Sequence, residues 1–458
     1  MREVCDSLYT EPDRRRPIRR AGCGAAPSGA CIGSTLLVLV LTLAVFAAGR
    51  IVTAQGQQAA TANAGARSVL YSALRAELTR YEVQLGPPAL VKREAITLPG
   101  PVQYAWPHPT NRYLYVTWTG GPSDRPHGLA AFALDPATGA LRPHGEPVGL
   151  KSRPIHVTVD KDATHVLVAH SNPSSVTVRR LSTDGKISDE VAQPATLDAG
   201  VFAHQVRVHP SGGTVILVAR GNSPLDGAPK EDPGALKVYS YKGGVLGNRA
   251  SIAPKGGFGF QPRHMDFHPS GKWIYVSAEW QNELHVFSER PDGTLGSQPL
   301  FVKFSLPSRE ASRREHRQIA GTVRVHPNGR FVYQANRATG FTDTPEGRIW
   351  NGGTNSIAVY QINQSTGEPT LIQQADTRGI VPRTFAFDAT QRLLVAANQT
   401  RMSVREGQSL TTVMPNLALF TVGEDGKLTF VRKYDVAADL AVQRNDGLFW
   451  MGIVPLPR

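Results

Sequence analysis

The chain has 458 residues and a formal net charge of +13, from 50 Lys and Arg against 37 Asp and Glu. Apolar residues make up 41% and charged residues 19%, which excludes wholesale disorder and leaves ample material for a packed core. The 44 Gly and 34 Pro follow no Gly-X-Y period, so collagen is excluded and a loop-rich β protein is expected.

All the cysteines, Cys5, Cys23 and Cys31, precede residue 32, so the rest of the chain has no disulfide, thiolate metal site or Cys nucleophile. Residues 1–34 are Arg-rich, with Arg14, Arg15, Arg16, Arg19 and Arg20. The apolar run TLLVLVLTLAVFAA (35–48) follows. It falls short of the roughly 20 residues of a membrane span and has the length of a signal-peptide core. Val52-Thr53-Ala54 offers a small-x-small cleavage site before Gln55. Residues 1–54 are therefore expected to be a signal peptide, 55–67 a linker, and 68–458 an exported body, periplasmic or extracellular. An uncleaved membrane anchor is the alternative, and would be the only membrane contact. Residues 1–54 hold seven Arg and four acids, so their loss takes +3 and leaves +10.

The body repeats. A turn-plus-strand phrase recurs as HPTNRYLYVTW from His108, DKDATHVLVAH from Asp160, HPSGGTVILVA from His209, HPSGKWIYVSA from His268, HPNGRFVYQAN from His326 and DATQRLLVAAN from Asp388. The spacings are 52, 49, 59, 58 and 62 residues. After each comes an alternating strand ending in a D-G, T-G or G-G turn, such as NELHVFSERPDGTL or LALFTVGEDGKL. That is a hairpin signal. Each unit holds about four short strands, which is one propeller blade.

Six full phrases predict six blades. Residues 68–98 supply three more strands but lack an inner one, and the C-terminal run 440–457, with LFWMGIVPL, can provide it. The expected fold is all-β: a seven-bladed β-propeller whose last blade takes strands from both ends of the chain and leaves no free edge. Helical signal is nearly absent. Only 308–317, charged and expected to be an exposed insertion, hints at it.

The phrases GFQPRHMDFHPSGKWIYVSAEWQNELHVF (259–287), GTVRVHPNGRFVYQANRATG (321–340), GIVPRTFAFDATQRLLVAANQ (379–399) and FAHQVRVHPSGGTVILVA (202–219) resemble the seven-bladed lactonase family. That family includes propeller-type 6-phosphogluconolactonases and the fungal 3-carboxy-cis,cis-muconate lactonizing enzyme. The chain departs from the pattern in the loop 221–233, in the basic connection bearing Arg309, Arg313, Arg314 and Arg317, and in the insertion 401–416.

In a propeller the starts of the inner strands face the channel, and their side chains converge on one mouth. Those positions are Tyr104, His156, His204, Arg263, His264, Arg324 and Arg383; the ends of the second strands add Glu279, Asn336, Arg337, Asn398 and Gln399. Lactone opening needs a base for the attacking water and donors for the oxyanion. Glu279 or His204 could be the base, and Arg263, Arg324 or Arg337 could hold the oxyanion or an acidic substituent. The resemblance to the muconate enzyme points to His204, Arg263, Glu279 and Arg337 as the catalytic set. It leaves His156, His264, Arg324, Asn336, Arg383, Asn398 and Gln399 as substrate-binding candidates.

Plainer roles stand beside these. Arg263 and Glu279 could form a structural ion pair, His204 could be a core histidine, and Arg337 could pin a loop. His108, His209, His268 and His326 precede Pro in turns, where a structural role is expected. There is no H-E-x-x-H, no zinc-type Cys spacing and no G-x-S-x-G elbow, and inner-strand acids are scarce, so a metal-independent site without cofactor is expected. The basic residues form no stripe with interleaved aromatics, which argues against nucleic acid and for a small anionic substrate on a monomer. Three functions follow: a hydrolase opening an anionic lactone such as 6-phosphogluconolactone, a carboxymuconate-type cycloisomerase, or a non-catalytic exported binding scaffold.

Overall fold

A computed structural model describes residues 66–457, apart from 122–125, 310, 312–313, 346 and 437–446. The expected signal segment with its cysteines, most of the linker, Arg313 and residues 440–446 lie outside the described residues.

Seven antiparallel sheets form the blades. Their innermost strands are Val102–Pro107, Arg153–Val159, Ala203–Val208, Pro262–Phe267, Gln318–Val325, Pro382–Phe387 and Leu448–Pro455. We number the blades 1 to 7 in that order. Each inner strand touches the inner strand of the next blade, and that of blade 7 touches that of blade 1, so the ring is closed. Blade 7 joins the two ends of the chain. Ser68–Leu74 pairs with Leu448–Pro455 on one side and with Glu77–Leu85 on the other, and Pro88–Thr97 is outermost. The predicted propeller and its shared closing blade are both present.

The second strands, such as Thr214–Ala219 (TVILVA) and Trp273–Ala278 (WIYVSA), are buried on both faces. β-branched and aromatic residues suit that position because each face packs on a neighbouring blade. The core therefore lies between blades. Tyr275 and Val286 of blade 4, for instance, pack with Val323, Val332 and Tyr360 of blade 5.

A repeated clamp joins neighbours. The hydroxyls of Tyr71, Tyr115, Tyr275 and Tyr333 donate to the carbonyls of Gly139, Gly185, Gly367 and Gly426, at 2.5, 2.7, 2.8 and 2.6 Å. Each acceptor sits in the outer hairpin of the following blade. These glycines have φ between 72° and 81°, the left-handed region the turns require. A Cβ on Gly426 would collide with the Phe331 ring. Glycine is thus needed both for the turn and for the seat.

The His-Pro turns are structural, as expected. The Nδ1 atoms of His108, His209 and His268 bond the hydroxyls of Thr110, Ser211 and Ser270 two residues on, at 2.8, 2.6 and 2.7 Å. In blades 2 and 6, Asp160 and Asp388 accept turn amides in the same place.

One sheet was not expected. Hairpins Phe341–Thr344/Gly347–Trp350 and Met402–Glu406/Ser409–Val413 come from the insertions of blades 5 and 6 and join in parallel at Ile349 and Ser403. Among its described residues the basic connection carries a 3₁₀ turn, Arg314–His316. The loop 221–233, these hairpins and the basic connection all leave the ring on the face where second strands end and inner strands begin.

The clamp can be measured. Tyr333→Phe strands the Gly426 carbonyl and is expected to cost about 1–3 kcal/mol in chemical denaturation. Gly426→Ala should cost at least as much, through φ and the Phe331 contact. Removing residues 448–458 should abolish cooperative unfolding, because Ser68–Leu74 loses its inner partner.

Candidate functional site

The inner strands carry a bulge at their start. Pairing with the second strand skips Gln103, Ile155, His204, Arg263, Arg383 and Phe449 in blades 1, 2, 3, 4, 6 and 7, and Gly321 with Thr322 in blade 5. A bulge re-aims a side chain that the alternation would otherwise bury between strands. Those six single bulged residues wall one channel cavity, together with Tyr104, His264 and Thr384. Its volume is about 10 Å³, which is about the room of one water molecule.

Beside it stands a charge cluster from the ends of the second strands. Glu279 is 4% exposed. Its Oε1 accepts from Arg263 Nε at 2.7 Å and Arg337 Nη2 at 2.5 Å, and its Oε2 from Arg220 Nη1 at 2.9 Å. Arg337 also donates to the Ala320 carbonyl at 2.6 Å, and Arg220 lies over the Phe202 ring at 4.1 Å. Arg383 donates through Nε to the Phe449 carbonyl at 2.9 Å and covers that ring at 3.8 Å. The four catalytic candidates His204, Arg263, Glu279 and Arg337 are thus brought together.

Electrostatics separate their roles. Burial would raise the Glu279 pKa, but Arg263, Arg337 and Arg220 override it and hold the carboxyl down to about 2. A carboxylate so firmly paired is a poor proton acceptor and a strong anchor. Burial and the charge of Arg337 press the Arg263 guanidinium well below its ordinary range, and the same two causes bring Arg383 to about 9. Among the described residues of this cluster the arginines Arg220, Arg263, Arg337 and Arg383 outnumber the one carboxylate, Glu279. Burial, then the positive charges of Arg263 and its neighbours, push His204 well below the usual imidazole range, so it is neutral at pH 7. His264 and His156 are shifted likewise, by burial first.

Three buried polar atoms lining the cavity lack a hydrogen-bond partner among the described residues: His204 Nδ1, Arg263 Nη1 and Thr384 Oγ1. Buried polar groups are normally paired, so this trio marks a place built for something polar.

The other candidates divide. His264 lines the cavity, 5.1 Å from the His204 ring, and His156 is 6.4 Å further along. Both rings are buried. Arg383 lines the cavity; Gln399 does not, and its carbonyl accepts from the Leu448 amide beside Gly447. Arg324 stands deeper in the channel, where its charge acts on Arg207 and His156. Asn336 and Asn398 are corrected: neither serves the mouth. Asn336 bonds Ser305, Ser356 and Gln374, and Asn398 bonds the Thr377 carbonyl and Asn416, so both pin strands and loops together.

Sequence reasoning missed Arg220. Arg220, Glu279 and Arg337 each stand eleven residues after the turn residue of their phrase, His209, His268 and His326. Aligning the phrases one residue past the strand would have found it. Gln103, Thr384 and Phe449 carried no comparable signal, because the bulge decides which residue faces the channel. Among the described residues, no three His, Cys, Asp or Glu side chains converge to hold a metal ion.

Glu279→Gln would leave three buried guanidiniums facing a neutral amide, and is expected to cost about 3–5 kcal/mol in denaturation. Because the folded pKa of Glu279 lies below the ordinary 4.5, its stabilisation is complete above that value and lost as pH falls toward 2. The variant's deficit relative to wild type should therefore shrink across that window.

Comparison with known proteins fits this geometry. The sequence model described as "Lactonase, 7-bladed beta-propeller" matches residues 75–406. The 6-phosphogluconolactonase of Bacillus subtilis (strain 168) is 29% identical over 300 residues, covering 63% of this chain and 76% of that protein. That of Pectobacterium atrosepticum is 25% identical over 342 residues, 72% of this chain and 88% of that one. Among solved structures, the periplasmic gluconolactonase of Pseudomonas aeruginosa shares the fold, with a TM-score of 0.62, 18% identity and coverage of 86% of this chain and 100% of that one. A Lactobacillus plantarum protein does so with a TM-score of 0.60, 20% identity, 85% and 99%. With seven closed blades and a match running through most of the ring, the chain belongs to the seven-bladed β-propeller lactonase family.

Proposed function

We propose that the protein hydrolyses an anionic sugar lactone, such as 6-phosphogluconolactone, at the bulge-lined channel mouth. The observation that carries this reading is the water-sized cavity faced by His204 Nδ1, Arg263 Nη1 and Thr384 Oγ1. The neutral His204 imidazole takes the proton of the attacking water only in passing, since burial and the arginines disfavour a standing imidazolium, and Arg263 holds that water. Oxygen of that water bonds the lactone carbonyl carbon, and the charge that develops on the carbonyl oxygen falls beside the arginines. Collapse breaks the ring C–O bond, the proton passes to the leaving ring oxygen, and a hydroxy acid results. Glu279 takes no proton; it fixes Arg220, Arg263 and Arg337. The names of the relatives favour hydrolysis over cycloisomerisation and over a scaffold without turnover.

We also propose that the ring works outside the cytoplasm as a monomer. The 35–48 run supports export, and so does the likeness to the Pseudomonas gluconolactonase, which is itself named as periplasmic. Among the described residues no helix is long and apolar enough to cross a membrane.

Assays with 6-phosphogluconolactone and gluconolactone test the chemistry. His204→Ala should lower kcat by about 10²–10⁴ with little change in melting temperature. Wild-type rates no faster than spontaneous hydrolysis on both lactones would sink the reading. Replacing Arg383 by Gln should raise KM more for the phosphorylated lactone than for the neutral one.

A further inference from the structure

The inner strands carry a second set of channel positions, which the proposed chemistry does not use. Side chains alternate along a strand, so the residue after each bulge and the one two places further share a face. The further residue forms a tier below the mouth. In blades 1, 3, 4 and 5 it is Trp106, Arg207, Asp266 and Arg324, all half-buried. In blades 2, 6 and 7 it is the smaller Thr158, Ala386 and Gly452, which leaves room beside the arginines. Arg207 reaches across the channel: its guanidinium lies over the Trp106 ring at 5.1 Å, although blade 2 separates the two in the ring. Trp106 in turn stands 5.6 Å from the ring of His156.

The charges of this tier do not balance. Asp266 is its one carboxylate, and both oxygens are engaged: Oδ1 accepts from Arg207 Nη1 at 3.1 Å and Oδ2 from the Val325 amide at 3.0 Å. The Arg324 guanidinium has no hydrogen-bond or ion-pair partner among the described residues. Burial and the charge of Arg324 press Arg207 below its ordinary range, against the pull of Asp266. His156 adds a further donor. It is wholly buried, and neither of its ring nitrogens has a partner among the described residues. Burial, then Arg207 and Arg324, keep it neutral, and a neutral imidazole still carries one N–H. Two guanidiniums and an imidazole N–H thus meet a single carboxylate that is already used. A water could accept from His156 but would leave the guanidinium charge uncompensated in a half-buried place.

We propose that this lower tier of the channel binds a small monovalent anion, chloride above all, between Arg324, Arg207 and His156. Its size follows from the crossing, because Arg207 and Trp106 already span the channel and leave space for an ion but none for a sugar. Its single charge follows from Asp266, which would repel a second one. The site is independent of the proposed lactonase function, and its failure would leave that reading untouched.

Crystals of the protein soaked in sodium bromide, with data collected at the bromine absorption edge, test it. An anomalous peak in contact with the Arg324 guanidinium and the His156 ring is expected in the wild type and not in Arg324→Gln. In thermal denaturation of the wild type, chloride should raise the melting temperature by about 2 °C more than isethionate at equal ionic strength, since isethionate is too large to enter. Arg324→Gln should respond alike to the two salts. The wild-type peak and the salt comparison need no variant, so the test survives if the substitution impairs folding. Absence of a bromide peak from the channel would overturn the assignment. So would a peak that persists in Arg324→Gln, which marks an adventitious ion only, or a chloride response that the variant keeps in full.

Discussion

A ring of sheets gathers residues at its centre only if it closes. Here closure depends on one antiparallel pairing, Ser68–Leu74 against Leu448–Pro455, which joins segments nearly 400 residues apart. Every other blade forms from consecutive chain and could pair its own strands locally. Without the last pairing the inner strands of blades 6 and 1 would have exposed flanks, and the channel would be an open trough. The position of His204 relative to Arg383 and Phe449, on blades 3, 6 and 7, is therefore a property of the closed circle. The tyrosine–glycine clamps at four of the blade junctions set the angle between neighbours, and so decide where the circle meets itself.

A rigid circle can hold together what would otherwise repel. Three guanidiniums share one carboxylate with a fourth, that of Arg383, close by, and the pKa shifts of Arg263 and Arg383 record the cost of that crowding. Each side chain arrives on a separate blade or strand end that the clamps and cores hold in place. Strain of this sort persists where the surroundings over-determine it. The excess charge makes the mouth selective for anions before any contact with substrate is made.

The blades were legible because the physics of a blade is local: a turn, a β-branched strand and a hairpin leave a pattern every 50 to 60 residues. Blade 7 was legible because three orphan strands at one end matched one orphan strand at the other. Glu279, Arg263 and Arg337 could be found because they sit in or just past those phrases. Arg220 was passed over because it opens a loop rich in Gly and Pro, although it occupies the same repeat position as Glu279. Asn336 and Asn398 misled for the reverse reason. They end second strands as the charged residues do, but one residue earlier, and the alternation of the strand turns them inward to Ser305 and Asn416. The small sheet built by the insertions of blades 5 and 6 left no trace in the repeat, since its hairpins belong to no blade and meet only through tertiary packing.

The seam in blade 7 also has a topological meaning. Ser68 faces Pro455 across the sheet, so the two ends of the ring-forming chain are neighbours and not opposite poles. The order in which the blades are encoded is thus incidental to the finished object. The same circle would result if those ends were bridged and the chain were opened at another connection, so that a different blade carried the seam. In this sense the protein is a circular permutation class with one natural cut. That cut falls in a blade remote in sequence from Glu279, so the anchor of the site is made wholly of unbroken chain.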